Sequence, residues 1–151
     1  MKLKRPLAGS EELLEKVLAL LGPNRLPRLI GIDGADGLGK SSLASWLAWQ
    51  LGAPAIHLDL YLVKDSEPLQ WRIPCLQRIL STRLDEHAKP IVIEGIMLLE
   101  ALARIGRRAD FLVYVEGEGG YSLSAMLSDY RARHQPEKHA QLRLHGFVED
   151  D

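Results

Sequence analysis

Cysteine is almost missing from this chain. Cys75 is the only one in 151 residues, so no disulfide can close within it, and a reducing, cytoplasmic setting is expected. Flanked by Pro74 and Leu76, Cys75 is expected to pack rather than to react. An excess of charge is missing too. Nineteen basic and 20 acidic side chains leave a formal net charge of −1, too little for a broad electrostatic footprint on nucleic acid. No apolar run approaches the roughly 18 residues of a membrane span. The basic start Met1-Lys2-Leu3-Lys4-Arg5-Pro6 lacks the apolar core of a signal peptide. His57, His134, His139 and His145 lack metal-ligand spacing, and none is expected to hold a metal. There is no internal repeat or low-complexity tract.

What is present is ordinary globular composition, 46% hydrophobic and 26% charged, at a length suited to one domain with a sizeable core. The most informative stretch is Leu29 to Trp49. It contains Gly34-Ala35-Asp36-Gly37-Leu38-Gly39-Lys40-Ser41, which matches G-x-x-x-x-G-K-[ST], the Walker A phosphate loop. Before it, Leu29-Ile30-Gly31-Ile32 reads as a short buried parallel strand. After it, Leu43, Trp46, Leu47 and Leu51 fall on one face of a helix.

That context dictates a chemistry. Glycines at 34, 37 and 39 admit backbone angles that a Cβ obstructs, so the loop can turn its N–H groups inward around phosphate oxygens. The following helix adds the positive end of its dipole. Lys40 is expected to reach the β- and γ-phosphates, and the Ser41 hydroxyl to hold Mg²⁺. The expected nucleotide contacts therefore run through Gly34, Ala35, Asp36, Gly37, Leu38, Gly39, Lys40, Ser41 and Ser42, with the Asp36 side chain facing solvent. The expected cofactors are ATP and Mg²⁺.

The rest of the chain alternates strands and helices. Ser10 caps a predicted helix bearing Leu13, Leu14, Val17, Leu18 and Leu21, stopped by Gly22-Pro23; residues 1–27 form this helix and a linker. Ala55 to Tyr61 reads as a second strand with Asp59 near its carboxyl end. Residues 62–70 are a loop, and Leu76, Ile79, Leu80 and Leu84 share a helix face. Ile91-Val92-Ile93 is a third strand ending at Glu94-Gly95, residues 96–103 a helix, and Phe111 to Val115 a fourth strand. A glycine-rich turn from Glu116 to Gly120 precedes a charged helix from Ser122 to about His134, with Leu123, Met126, Leu127 and Tyr130 inward. Leu142-Arg143-Leu144 is a short fifth strand. Right-handed crossovers then give a parallel sheet covered by helices on both faces, with Asp59 and Glu94 on the same rim as the loop.

Asp59 is the candidate base for an attacking hydroxyl. Glu94 sits where a strand-end acid would support Mg²⁺, directly or through water. Asp33 orients either the loop backbone or the magnesium water shell. Arg131 and Arg133, two residues apart, cannot share a helix face, so one of them at most is expected to meet developing phosphoryl charge. Arg72, beside Trp71, is a candidate substrate contact; Trp46 and Trp49 are expected to pack, and Arg104, Arg107 and Arg108 to be surface charge.

Taken in order, these segments resemble the uridine kinase/phosphoribulokinase branch of the P-loop kinases, especially its short bacterial uridine kinase-like members, from about Pro27 to Leu144. Ile30 to Ser41 resembles that branch's loop, and Ile56-His57-Leu58-Asp59-Leu60-Tyr61 its H-L-D-D-F-Y segment. Trp71-Arg72-Ile73-Pro74 is similar to D-W-R-x-P, Ile91 to Ile96 to V-I-V-E-G-I, and Tyr130 to Pro136 to Y-x-x-R-Y-x-P. The resemblance implies a P-loop NTPase three-layer α/β sandwich with about five parallel strands, and a lid-like segment at about 120–140. It makes Asp59 the catalytic aspartate and Tyr61 an aromatic near the nucleoside, and it favours Arg133 over Arg131 as the catalytic arginine. Leu60 and Gln70 replace acids of the family pattern, the lid region lacks the family's arginines ahead of an R-D pair, and the chain ends before the adenine-side loop and helix. The expected activity is ATP-dependent phosphorylation of a small-molecule hydroxyl by a monomer or homodimer with no nucleic-acid or membrane partner. The alternative is an ATP-binding module without transferase activity. A GTPase switch is disfavoured because no N-K-x-D sequence occurs.

Overall fold

The computed structural model describes residues 7–117 and 124–146. The elements are α1 (Ser10–Leu21), β1 (Leu29–Gly34), α2 (Lys40–Leu51), β2 (Ala55–His57), α3 (Ile73–Leu80), β3 (Ile91–Gly95), α4 (Leu98–Ile105), β4 (Phe111–Glu116), α5 (Ser124–His134), α6 (Pro136–His139) and β5 (Leu142–His145). A 3-10 turn, Leu58–Tyr61, follows β2, and a π-helical turn, Ser81–Glu86, extends α3. The five strands form one parallel sheet in the order β2-β3-β1-β4-β5, with β1 central. Every residue of β1 and β3 is buried, which is why those strands read as near-continuous apolar runs.

The pleat divides the core in two. Ile30, Ile32, Val92, Val113 and Val115 meet α1 and α2 on one face, through Val17, Leu43 and Leu47 among others. Leu29, Ile91, Ile93 and Leu112 meet α3, α4 and α5 on the other, through Leu76, Leu98 and Tyr130. The strand carboxyl ends gather on one rim, where β1 passes into the Gly34–Gly39 loop and α2. Among the described residues no helix is long and apolar enough to cross a membrane.

Several local expectations are corrected. Gly9, not Ser10, is the N-cap of α1, and the buried Ser10 makes no capping side-chain bond. The second strand ends at His57, four residues early. Ile56, Leu58 and Leu60 alternate as a strand would, but Leu60 is 71% exposed, and Leu58 turns under Gly95, where an added Cβ would lie 2.7 Å from it. The fourth helix begins at Leu98, after Met97 in a left-handed conformation. Cys75 is exposed, because the buried stripe of α3 runs through Leu76 and Leu80 and leaves position 75 outside. Trp49 is 78% exposed while Trp46 is partly buried against the core. Of the predicted inner stripe of α5, Leu127 and Tyr130 are buried and Met126 is partly so. Leu123, and the turn at 118–120, lie outside the described residues.

Candidate nucleotide site

The loop owes its shape to its glycines. Gly34 has φ +148°, and an added Cβ there would meet the Val115 carbonyl at 2.5 Å. Gly37 has φ +75° with nothing within 4 Å of an added Cβ, so its glycine is required by backbone angle and not by crowding. Gly39, at φ 89°, leads into α2, whose N-terminus points into the loop. Leu38 does not narrow the loop. It is buried at 3% exposure and turns toward Gly117 and Gly146, anchoring the loop to the ends of β4 and β5.

Lys40 lies inside this loop at 6% exposure, and its Nζ donates to the Ala35 carbonyl at 2.5 Å. Burial lowers the pKa of the ammonium below the usual lysine range, against the opposing charges of Glu94, Asp33, Asp36 and Asp59. Asp36 is half-buried rather than turned to solvent. Ser41, the next residue of α2, donates from Oγ to Glu94 Oε1 at 3.0 Å. A serine hydroxyl beside a carboxylate is a small set of hard oxygen donors. It fits Mg²⁺, an ion that keeps several of its waters and takes few protein ligands. The glycine cradle with its buried lysine fits a polyphosphate.

Glu94 is 3% exposed and carries a second bond, from His57 Nδ1 at 2.9 Å. Asp59 stands in the 3-10 turn two residues later, exposed on the lip of a cleft of about 420 Å³. Ser41, Ser42, Ser45, His57 and Leu60 complete that cleft. The fold therefore brings Lys40, Ser41, Ser42, Glu94 and Asp59 to one rim of the sheet.

Tyr61 and Arg72 are joined by backbone: Arg72 N donates to Tyr61 O at 2.8 Å, Leu62 bridges Trp71 antiparallel, and Val63 N donates to Gln70 O at 2.8 Å. Residues 61–72 thus close a narrow loop beside the Asp59 turn, its base filled by the buried Trp71 under the Arg104 guanidinium. Arg133 is placed elsewhere. Its Nε donates to Asp129 at 2.8 Å and its Nη1 to Glu100 on α4 at 3.5 Å, and it is exposed. Arg131 pairs with Glu137 on α6. The two arginines do diverge to different neighbours, and neither contacts the loop in these bonds.

Asp33 serves the loop backbone. Its Oδ1 accepts from Gly34 N at 2.8 Å and Leu98 N at 3.3 Å, and its Oδ2 from the Tyr130 hydroxyl. Burial pushes the Asp33 carboxyl up to about 6, against the lowering effect of those hydrogen bonds. Sequence reasoning missed the Tyr130 partner, and also His57 and Ser45. A buried tyrosine hydroxyl demands a partner, but nothing along the chain names it. Ser41 and Ser45, at i and i+4 on α2, were a legible hint of a polar helix face.

No family model matches this sequence, and no curated protein matches it. Among solved structures, the chain is similar to a possible uridine kinase from Bacillus stearothermophilus, at 22% identity over 89% of this chain and 96% of that one, with a TM-score of 0.63. A gluconokinase from Sinorhizobium meliloti 1021 is 20% identical over 74% of this chain and 67% of that one, with a TM-score of 0.43. A shikimate kinase from Bacteroides thetaiotaomicron is 17% identical over 82% and 89%, with a TM-score of 0.42. These last two superpositions are too loose to carry an argument. The first shows the architecture: this chain shares the three-layer α/β fold of that structure, with a five-stranded parallel sheet.

Proposed function

We propose that this protein is an ATP-dependent kinase that transfers the γ-phosphoryl group to a hydroxyl of a small-molecule acceptor. The observation that supports it is the gathering, on one rim of the sheet, of the glycine loop with its buried Lys40, the Ser41–Glu94 pair, and Asp59 on the lip of the adjoining cleft. In this reading the loop amides and the α2 N-terminus hold the phosphates, and Lys40 leaves the Ala35 carbonyl to neutralise β- and γ-oxygens. Ser41 and Glu94 would hold Mg²⁺, which supplies positive charge against the phosphate oxygens. Asp59 takes the proton of the acceptor hydroxyl as its oxygen bonds to the γ-phosphorus and the bond to the ADP oxygen breaks. Tyr61 and Arg72 flank the acceptor. The segments around Asp59 and Trp71 resemble those of uridine kinases, which favours a nucleoside as that acceptor.

A second reading, nucleotide binding without transfer, is favoured by one observation: Arg133 is engaged by Asp129 and Glu100 rather than by the loop. An ADP-release screen with ATP and magnesium against nucleosides, sugars and vitamin alcohols separates the two. One productive acceptor, with turnover lost in Asp59→Ala and ATP affinity kept, supports the kinase. Tight Mg-ATP binding with no turnover on any acceptor supports the binding module.

A further inference from the structure

Four side chains mark the corners of a polar square beside the loop, joined by contacts along three of its sides. Two come from α2, Ser41 and Ser45, one helical turn apart. The other two are Glu94 and His57, direct register partners across β3 and β2, so both point to the α2 face of the sheet. Ser41 Oγ donates to Glu94 Oε1 at 3.0 Å, and His57 Nδ1 lies 2.9 Å from the same oxygen. The ring's other nitrogen, Nε2, lies 3.5 Å from Ser45 Oγ. A carboxylate accepts only, so the tautomer with hydrogen on Nδ1 satisfies the Glu94 contact and leaves Nε2 to accept from Ser45.

From this square we infer that His57 is a positioning residue for the metal. Its Nδ1–H fixes which way the Glu94 carboxylate faces, and hence the seat that Ser41 and Glu94 offer to Mg²⁺. The inference rests on the proposed nucleotide site, since it assumes that these two residues hold the ion. Glu94 has few ways to hold its orientation otherwise. It is 3% exposed, the Ser41 hydroxyl that it accepts from would be claimed by the metal in the proposed site, and its other donor among the described residues is His57. His57 also ends β2 two residues before Asp59, so the same bond ties the strand that leads into the turn bearing the proposed base to the strand bearing the metal acid. Partners that orient a metal-binding carboxylate typically matter by about tenfold to a hundredfold in metal affinity.

Two substitutions of similar size read the inference out. Asparagine carries its amide nitrogen where histidine has Nδ1, and glutamine carries it where histidine has Nε2. His57→Asn can still donate to Glu94, whereas His57→Gln keeps only the Ser45 side of the ring. ATP affinity of the full chain is measured by calorimetry with Mg²⁺ and with EDTA. For wild type, Mg²⁺ should strengthen ATP binding. His57→Gln should lose about tenfold or more of that strengthening, with affinity in EDTA unchanged, and His57→Asn should retain it. Equal loss in both variants, or loss in EDTA as well, means that His57 merely fills space and overturns the inference. If wild-type ATP binding is insensitive to Mg²⁺, the metal seat itself is wrong, and the proposed nucleotide site falls before the role of His57 is reached.

Discussion

The hydroxyl of Tyr130 on α5 donates to Oδ2 of Asp33, the buried residue that precedes the phosphate loop, across 97 positions of sequence. The same hydroxyl accepts from Leu99 N at 3.0 Å, and Asp33 Oδ1 accepts from Gly34 N at 2.8 Å. One buried carboxylate therefore joins the first loop residue, the start of α4 and the last long helix.

This pair predicts a pH signature. Asp33 titrates at about 6 when folded against 3.8 when unfolded, so the folded chain holds that proton more tightly. The associated stability is fully present below the unfolded value and is lost as pH rises through the folded one. Tyr130→Phe removes a bond that lowers the Asp33 pKa, so the window moves upward. The substitution should cost about 1–3 kcal/mol at pH 8, where the carboxylate is charged, and clearly less at pH 5. Urea unfolding at the two pH values reads this; an identical loss at both would refute it.

Two loop glycines should fail in different ways when changed to alanine. At Gly34 the new Cβ meets the Val115 carbonyl at 2.5 Å, so Gly34→Ala should destabilise the fold by more than about 2 kcal/mol. At Gly37 nothing lies within 4 Å. Gly37→Ala should therefore cost only the left-handed backbone strain, about 1–2 kcal/mol, and that strain, borne by a loop whose amides are proposed to hold the phosphates, should weaken ATP binding. Thermal melts paired with ATP titration distinguish the two patterns.

Gly95→Ala should separate binding from transfer. Its Cβ would lie 2.7 Å from Leu58 Cβ, and Leu58 leads directly into Asp59. Moving that turn should lower kcat about tenfold or more while ATP affinity stays near wild type, since a misplacement of about 1 Å can cost a hundredfold. A variant with unchanged kcat would show that the position of Asp59 is not critical.

Lys40→Met should trade function for stability. A buried ammonium whose pKa burial has lowered sits in a costly place. An apolar side chain of similar length should hold or raise the melting temperature while ATP affinity falls at least about tenfold, or roughly 1.4 kcal/mol. A melting temperature several degrees lower would contradict this.

What the sequence determined by itself was local and patterned. The glycine spacing of the loop, the near-continuous apolar runs of β1 and β3, and the buried faces of α2 and α3 each depend on neighbours within a turn or a strand. They were legible for that reason, and so was the arrival of Asp59 and Glu94 on one rim, because parallel connectivity leaves few alternatives. The tertiary structure alone decided which groups meet across the sheet: Tyr130 with Asp33, His57 with Glu94, Arg133 with Glu100 instead of the loop. It also ended β2 at His57, because Leu58 finds its space under Gly95, a contact between a turn and a neighbouring strand that no periodicity encodes. Such pairings are set by strand register and helix placement, which arise only when the whole core packs at once.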